Sequence, residues 1–542
     1  MSFSKMFPPT LLLFLPIIQC VHGYLEKNEM EHIRANMHKM GELRARWNRR
    51  HPVTNEMTNE KSENRHEIVR NQADTSHDLT IQEINAPYVS ELIGGDIIPS
   101  DQDIIDMEEE LTAFESGNSG ERAKRAASVM SAKTWPTDRP IPFSISYEYS
   151  YESKNVIREA LNSIVQNTCI DFEESNGSEP KMKFYIGEGC NSHIGDHRAE
   201  YGSHPISLSS GCMTIDTIQH EVMHALGFEH THNRADRDNY IDIIWDAIHP
   251  NYTHAFTILD PTLFNNHSIP YEYNSALHYD SLSPSIDRKT PVLIPKDKDY
   301  IASVGGDQGA TFNDWKQINL RYRCSAYCKT KLDCLNKGFQ NSRNCSQCIC
   351  PLFYTGQYCE QEVNALHLIP GVNEREQLNY ASSQKSAQKK RDFSKFDKQF
   401  HVIKAPVGRL IRITLDKIDS GERINCVREC TYKAVEIVDE DLSLVGKRFC
   451  CSNRTSHSFV SKTNIIGYQA YSQPGQTFSS RVTFSLEPIA EGLTSEQTTT
   501  ESSEKTTEMS AEITSVESES ETIEPSTTNP VCAEDCEITG AP

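Results

Sequence analysis

Apolar and polar positions first settle into a regular rhythm near residue 140. Ile141-Pro142-Phe143-Ser144-Ile145-Ser146 alternates at period two and predicts a strand. From Lys154 to Gln166, Val156, Ile157, Ala160, Leu161, Ile164 and Val165 recur near 3.6-residue spacing, which predicts a helix with one buried face. Further strands are predicted at Cys169–Glu173, Met182–Ile186 and Pro205–Leu208, and another helix begins near Thr214. Strands and helices share one unit over residues 126–324, so its fold class is α+β.

The flanking segments follow other patterns. Residues 24–125 are polar, rich in Glu, Asn and His, and free of cysteine. They close on Arg122-Ala123-Lys124-Arg125, which resembles the basic signal read by furin-like convertases; cleavage after Arg125 would start a mature chain at Ala126. Ahead of them, Lys5, the apolar run Leu11–Ile18 and Val21-His22-Gly23 read as a secretory signal peptide over residues 1–23. That run falls short of the ~20 residues a spanning helix needs, and no later stretch qualifies, so a soluble extracellular product without membrane contact is expected. Over 325–360 cysteines are dense and apolar residues scarce, which calls for covalent staples. Residues 366–487 read as β-rich from the alternation in Leu410–Leu415 and Val482–Leu486. From 488 to 542 the chain is Thr, Ser and Glu with almost no aromatic residue, and is expected to be disordered, with Cys532 and Cys536 close enough to pair.

Composition narrows the setting. A chain of 542 residues has room for three or four modules. Of its 17 cysteines Cys20 falls in the leader, leaving an even set suited to disulfides in an oxidising compartment. Sequons at Asn176, Asn251, Asn266, Asn344 and Asn453 fit the same destination. The net charge of −22 argues against nucleic acid as a partner, because phosphate binding needs basic surface.

The chemistry concentrates in His220-Glu221-Val222-Met223-His224-Ala225-Leu226-Gly227-Phe228-Glu229-His230. On a helix, His220 and His224 stand one turn apart on one face with Glu221 beside them. Gly227 can take the positive φ that ends the helix, and the bend brings His230 in as a third nitrogen. Three imidazoles leave a position open, as a catalytic zinc requires and a closed structural site does not. The extended motif points to a metallopeptidase with Glu221 as general base.

With Arg234-Ala235-Asp236-Arg237-Asp238 after it, Gly189-Cys190-Asn191-Ser192-His193-Ile194-Gly195 before it, and Asp314-Trp315-Lys316-Gln317-Ile318-Asn319 near the end, this block resembles the astacin family of zinc endopeptidases. The resemblance implies a two-lobed metzincin domain over 126–324, one zinc held by His220, His224 and His230, and Glu221 activating water. It also implies that Tyr279, in Ser275-Ala276-Leu277-His278-Tyr279, supports the oxyanion, and that Cys169 pairs with Cys324 and Cys190 with Cys212. In the 24–125 propeptide, Ile93-Gly94-Gly95-Asp96 resembles the family's latch, whose aspartate, here Asp96, caps the metal. Two positions depart: Leu277 stands at the turn methionine, and Thr231 replaces a glutamate that engages the mature amino terminus.

Residues 325–360 resemble an EGF-like module, implying the pairs Cys328–Cys345, Cys334–Cys348 and Cys350–Cys359. Residues 366–487 are similar to a CUB β-sandwich, with the pairing among Cys426, Cys430, Cys450 and Cys451 left open. The resemblance implies a secreted zymogen acting on extracellular proteins such as matrix, cuticle or egg-envelope components. A non-catalytic matrix-binding protein that keeps the protease fold is the alternative.

Overall fold

The computed structural model describes residues 30–49, 79–115, 133–261, 266–287, 289–306, 308–382, 395–421 and 429–488. The expected leader, the cleavage cluster with Arg125 and Ala126, and the tail from residue 489 onward lie outside the described residues.

The polar stretch before the α+β unit contains helices that its composition does not advertise. Helix α1 spans 30–49 and buries Ile33, Met37, Met40 and Leu43, which recur one or two turns apart on a single face. Ile33 and Met37 pack with Leu92 and Ile98 in a small core of their own. Helix α2 (Ile81–Asn85) opens on a reciprocal cap between Thr80 and Glu83, and α3 (Asp101–Glu115) follows.

A five-stranded sheet carries the first lobe of the next unit. Its strands are β1 (Ile141–Ile145), β2 (Phe172–Glu174), β3 (Met182–Tyr185), β4 (Cys190–Ser192) and β5 (His204–Leu208), in the spatial order β2-β1-β3-β5-β4. All pair in parallel except β4, which runs antiparallel to β5. Helix α4 (Tyr151–Asn167) crosses from β1 to β2, burying Val156, Ile157, Ala160, Leu161 and Ile164. It starts a turn earlier than the apolar spacing predicts because the Ser153 amide donates to Ser150 Oγ at 3.1 Å and caps the end. The strand predicted from Cys169 begins only at Phe172, since Cys169 is drawn into a disulfide with Cys324.

Helix α5 (Ile215–Ala225) packs on α4 and joins the core through Ile218, Val222 and Met223, among Ile141, Phe184 and Ile206. The Cys190–Cys212 disulfide ties β4 to the turn that leads into α5. A second core, built from Ile241, Tyr252, Phe256, Tyr271, Tyr279, Val292 and Leu293, forms the other lobe around the short ribbon β6 (Ile241–Ile243) and β7 (Leu293–Pro295). Helix α6 (Phe312–Arg321), capped by Thr311 and Asp314, returns to the first core, and Cys169–Cys324 fixes its end across 155 residues of chain.

Two small hairpins follow, β8 (Phe339–Gln340) with β9 (Cys348–Ile349) and β10 (Tyr354–Thr355) with β11 (Gln361–Glu362). The disulfides Cys328–Cys345, Cys334–Cys348 and Cys350–Cys359 hold them. Residues 366–488 form two facing sheets. One orders β12 (Leu366–His367), β14 (Asp397–Lys404), β19 (Ile465–Ser472), β16 (Lys433–Val438) and β17 (Lys447–Phe449); the other orders β13 (Arg375–Ala381), β20 (Ser479–Pro488), β15 (Arg409–Asp419) and β18 (Ser458–Val460). Ile411, Ile413 and Leu415 of one sheet meet Val435, Ile437 and Tyr468 of the other. Cys430 pairs with Cys450, Cys451 is disulfide-bonded as well, and Cys426 lies outside the described residues. Among the described residues no helix is long and apolar enough to cross a membrane.

Candidate metal centre

Helix α5 delivers His220, Glu221 and His224 into a buried space between the two lobes. It stops at Gly227, whose φ of 95° reverses the chain; its amide donates to the His224 carbonyl at 2.8 Å and the Phe228 amide to that of Met223 at 3.1 Å. A Cβ at Gly227 would also push on the Arg321 guanidinium, a side-chain end that can shift, so it is the torsion that demands glycine. The reversal brings His230 back beside the helix.

One nitrogen from each of His220, His224 and His230 and one carboxylate oxygen of Asp96 all lie within 4.8 Å of one another. The tautomers of two rings are set by their outer partners. His220 Nδ1 donates to the Ala276 carbonyl at 2.6 Å and His224 Nδ1 to the Phe228 carbonyl at 2.7 Å. Because a carbonyl can only accept, each Nδ1 carries the proton, which leaves Nε2 as the inward-facing atom able to offer a lone pair to a cation. Those two Nε2 atoms face each other at 2.9 Å. Two lone pairs at that distance repel, and a cation between them removes the conflict. Three imidazole nitrogens and a carboxylate oxygen are a donor set that zinc accepts, so the residues present fit the ion.

The electrostatics agree with a dry cation site. Burial drives the His224 imidazole well below its ordinary range and keeps it neutral. For Asp96 burial opposes the charge, but the His230 ring beside it outweighs this and holds the carboxyl low. For Glu221 burial, with Asp96 beside it, pushes the carboxyl well above the usual carboxylate range. Both Glu221 oxygens are buried without a hydrogen-bond partner among the described residues. A carboxylate kept dry and unpaired in this way is poised for a ligand or a proton.

Asp96 reaches the centre on a tight strap. Gly94 and Gly95 have φ of 57° and 92°, and a Cβ on Gly95 would run into the Tyr279 hydroxyl, which donates to the Gly94 carbonyl. The strap is fastened to β4, with the Ile98 amide on the Ser192 carbonyl at 2.9 Å and the Ser192 amide on the Asp96 carbonyl at 3.2 Å. Three further residues secure it that sequence reasoning did not single out. Asn85 Nδ2 donates to the carbonyls of Gly95 at 3.0 Å and Cys190 at 2.6 Å. Tyr252 donates to the Gln82 carbonyl. Arg44 Nη1 donates to the carbonyls of Val89, Ser90 and Leu92 at 3.2, 2.9 and 2.6 Å. The helical recurrence of Ile33, Met37, Met40 and Leu43 was the available signal for the helix carrying Arg44.

Of the two departures, Leu277 is fully packed in the first core and its carbonyl accepts the Thr231 amide at 2.9 Å. Thr231 is buried and donates to Ser275 Oγ at 3.0 Å, beside a cavity of about 940 Å³ that also meets Glu272 and Asp314. Among the sequon asparagines, Asn176, Asn251, Asn344 and Asn453 are exposed and Asn266 is half-buried.

Residues 127–323 match the peptidase family described as Astacin. The chain is similar to the zinc metalloproteinase nas-28 of Caenorhabditis elegans, 28% identical over 68% of this chain and 74% of the relative. It is likewise 28% identical to the zinc metalloproteinase dpy-31 of Haemonchus contortus, over 82% of this chain and 79% of the relative. Among solved structures it is similar to High choriolytic enzyme 1, a hatching enzyme zinc-protease from Oryzias latipes. That likeness has 31% identity and covers 36% of this chain and 96% of the other, with a TM-score of 0.33.

Proposed function

The chain belongs to the astacin family of zinc metalloendopeptidases, and we propose that it is a secreted zymogen which, once cut by a furin-like convertase near Arg125, hydrolyses peptide bonds in extracellular proteins. His220, His224 and His230 would hold the zinc, and Asp96 would occupy the remaining corner until the propeptide leaves. When bound, the ion supplies Lewis-acid chemistry, polarising a carbonyl and making water acidic near neutral pH. Glu221 takes a proton from the attacking water and returns it to the departing amine; its bare, buried oxygens suit that shuttle. Tyr279, released from Gly94, turns its hydroxyl to the carbonyl oxygen as negative charge develops there. The Ser192 backbone, released from Asp96 and Ile98, offers an edge on which an extended peptide can pair.

The observation that carries this reading is the pair of Nε2 atoms at 2.9 Å whose rings have both committed Nδ1 to carbonyls. The six disulfides among the described residues suit an oxidising compartment. We read residues 325–360 as an EGF-like module, supported by its three staples, and 366–487 as a CUB-like sandwich, supported by its two facing sheets. Matrix, cuticle or egg-envelope proteins are the substrate class this organisation suits. A non-catalytic binding role is not favoured, because ligands and base are all in place. The test is cleavage of gelatin or casein by the convertase-treated protein with and without o-phenanthroline. Chelator-sensitive cleavage supports the reading, and zinc-loaded protein that cuts neither substrate would overturn it.

A further inference from the structure

The sandwich of residues 366–488 touches the second lobe of the peptidase unit at the turn that carries Tyr279. Glu436 on β16 and Arg448 on β17 stand opposite each other in register, and Arg448 Nε donates to Glu436 Oε2 at 2.9 Å. With one side of the guanidinium anchored, Nη2 reaches out of the sandwich and donates to Asn274 Oδ1 at 2.8 Å and to Gln308 Oε1. The Arg448 amide donates to Ser303 Oγ at 3.1 Å, and Ser303 donates to the Gly446 carbonyl at 2.7 Å. Alongside, Glu272 accepts from the Val445 amide and from Asn313 Nδ2, both at 3.0 Å. Asn274, Glu272, Glu436 and Arg448 are all buried.

From Asn274 the backbone leads directly into the metal centre. Ser275 Oγ and the Ala276 amide donate to the two oxygens of Asp314 at 2.7 and 2.9 Å. The Ala276 carbonyl accepts from His220 Nδ1, the contact that fixes that ring's tautomer. Leu277 and Tyr279 follow on the same turn.

We propose that the sandwich is a clamp on the catalytic turn, with Arg448 as a positioning residue that holds Asn274 and thereby orients Ala276, His220 and Tyr279. The inference rests on His220 and Tyr279 serving the reaction proposed above. Mere adhesion between modules does not call for this arrangement. Replacing a buried guanidinium–carboxylate pair with apolar side chains of the same volume is often neutral or stabilising, so stability alone does not account for this one. Here its outer nitrogen falls on the residue that begins the turn. The outer partner of a metal-binding imidazole sets its orientation, and disturbing such partners typically costs about 10–100-fold in affinity or activity.

The test uses the full-length processed protein and two variants. Glu436→Met with Arg448→Met replaces the buried pair with apolar volume and frees Asn274 Oδ1, while Asn274 Nδ2 keeps its bond to the Gly305 carbonyl. Arg448→Lys keeps the charge but loses the fork. Three quantities are read: kcat and KM on a peptide substrate, the rate of zinc loss to a chelator, and hydrogen exchange of the Ala276 and Leu277 amides. The clamp predicts for the double variant a kcat lower by about tenfold, zinc loss faster by about tenfold and faster exchange at both amides, with KM within about twofold. Arg448→Lys should move the same quantities in the same directions, and it decides the matter if the double variant does not fold. Folded variants matching wild type in all three would overturn the clamp. An inactive wild type would count against the peptidase reading alone, since zinc loss and exchange still decide the clamp.

Discussion

Asp96 places Oδ2 3.2 Å from His230 Nε2, joining a segment that precedes the expected cleavage site to the last ligand of the metal motif 134 residues later. If that carboxylate caps the site, Asp96→Ala should let uncut protein cleave peptide at a rate raised by at least about tenfold, the effect of losing a contact of about 1.4 kcal/mol. The check is a peptidase assay on protein whose basic cluster has been mutated to prevent processing. Equal activity in the uncut parent and variant would remove Asp96 from latency.

Arg44 fastens the strap from outside the site. Burial lowers its guanidinium to about 10, so it stays charged at neutral pH while donating to three carbonyls. Hydrogen bonds to a charged group are worth about 1.5–3 kcal/mol, and with water replacing part of what the three carbonyls lose, Arg44→Ala is expected to cost at least about 3 kcal/mol in docking of the segment that carries Asp96. Limited proteolysis of the uncut variant should then cut within residues 79–98 faster than in the parent, while the processed enzymes remain alike.

Leu277, which stands where the resemblance expects a methionine, is packed in the first core. The two side chains are close in volume and such swaps usually cost under about 1.5 kcal/mol, so Leu277→Met should change kcat/KM by no more than a few-fold and leave Tm nearly unmoved. A loss of zinc in that variant would show that this core is shaped for leucine more tightly than its volume suggests.

Glu272 makes the interface with the sandwich sensitive to pH. Burial raises its carboxyl from the ordinary 4.5 to about 8, against the opposing bonds from Asn313 and Val445. A carboxyl that holds its proton better when folded contributes stability that is complete below about 4.5 and is lost as pH rises through about 8. Thermal unfolding followed from pH 5 to 9 should show this decline, and Glu272→Gln, which cannot ionise, should flatten it. Identical pH profiles in the two proteins would assign the decline to other groups.

The metal motif was legible because its spacing is local: one helical turn separates His220 from His224, and a single glycine accounts for the return to His230. The buried face of α4 was legible for the same reason, and only its first turn was missed, where Ser150 caps the helix before any apolar residue appears. The helices ahead of residue 125 were hidden by composition, since Glu, Asn and His outnumber the few apolar residues that form the face of α1. The clamp could not be read at all. Arg448 and Asn274 are 174 residues apart and meet only because the sandwich packs on the second lobe, and no periodicity records which polar residues such packing will bury.

The most direct test of the central claim is zinc content together with peptide cleavage in the processed protein and in its Glu221→Gln variant. The account predicts one zinc per chain in both, chelator-sensitive cleavage in the parent, and a rate lower by about 10²–10⁴-fold in the variant, the range expected for losing a positioned general base. Parent protein without zinc, or a variant that cleaves as fast as the parent, would contradict it.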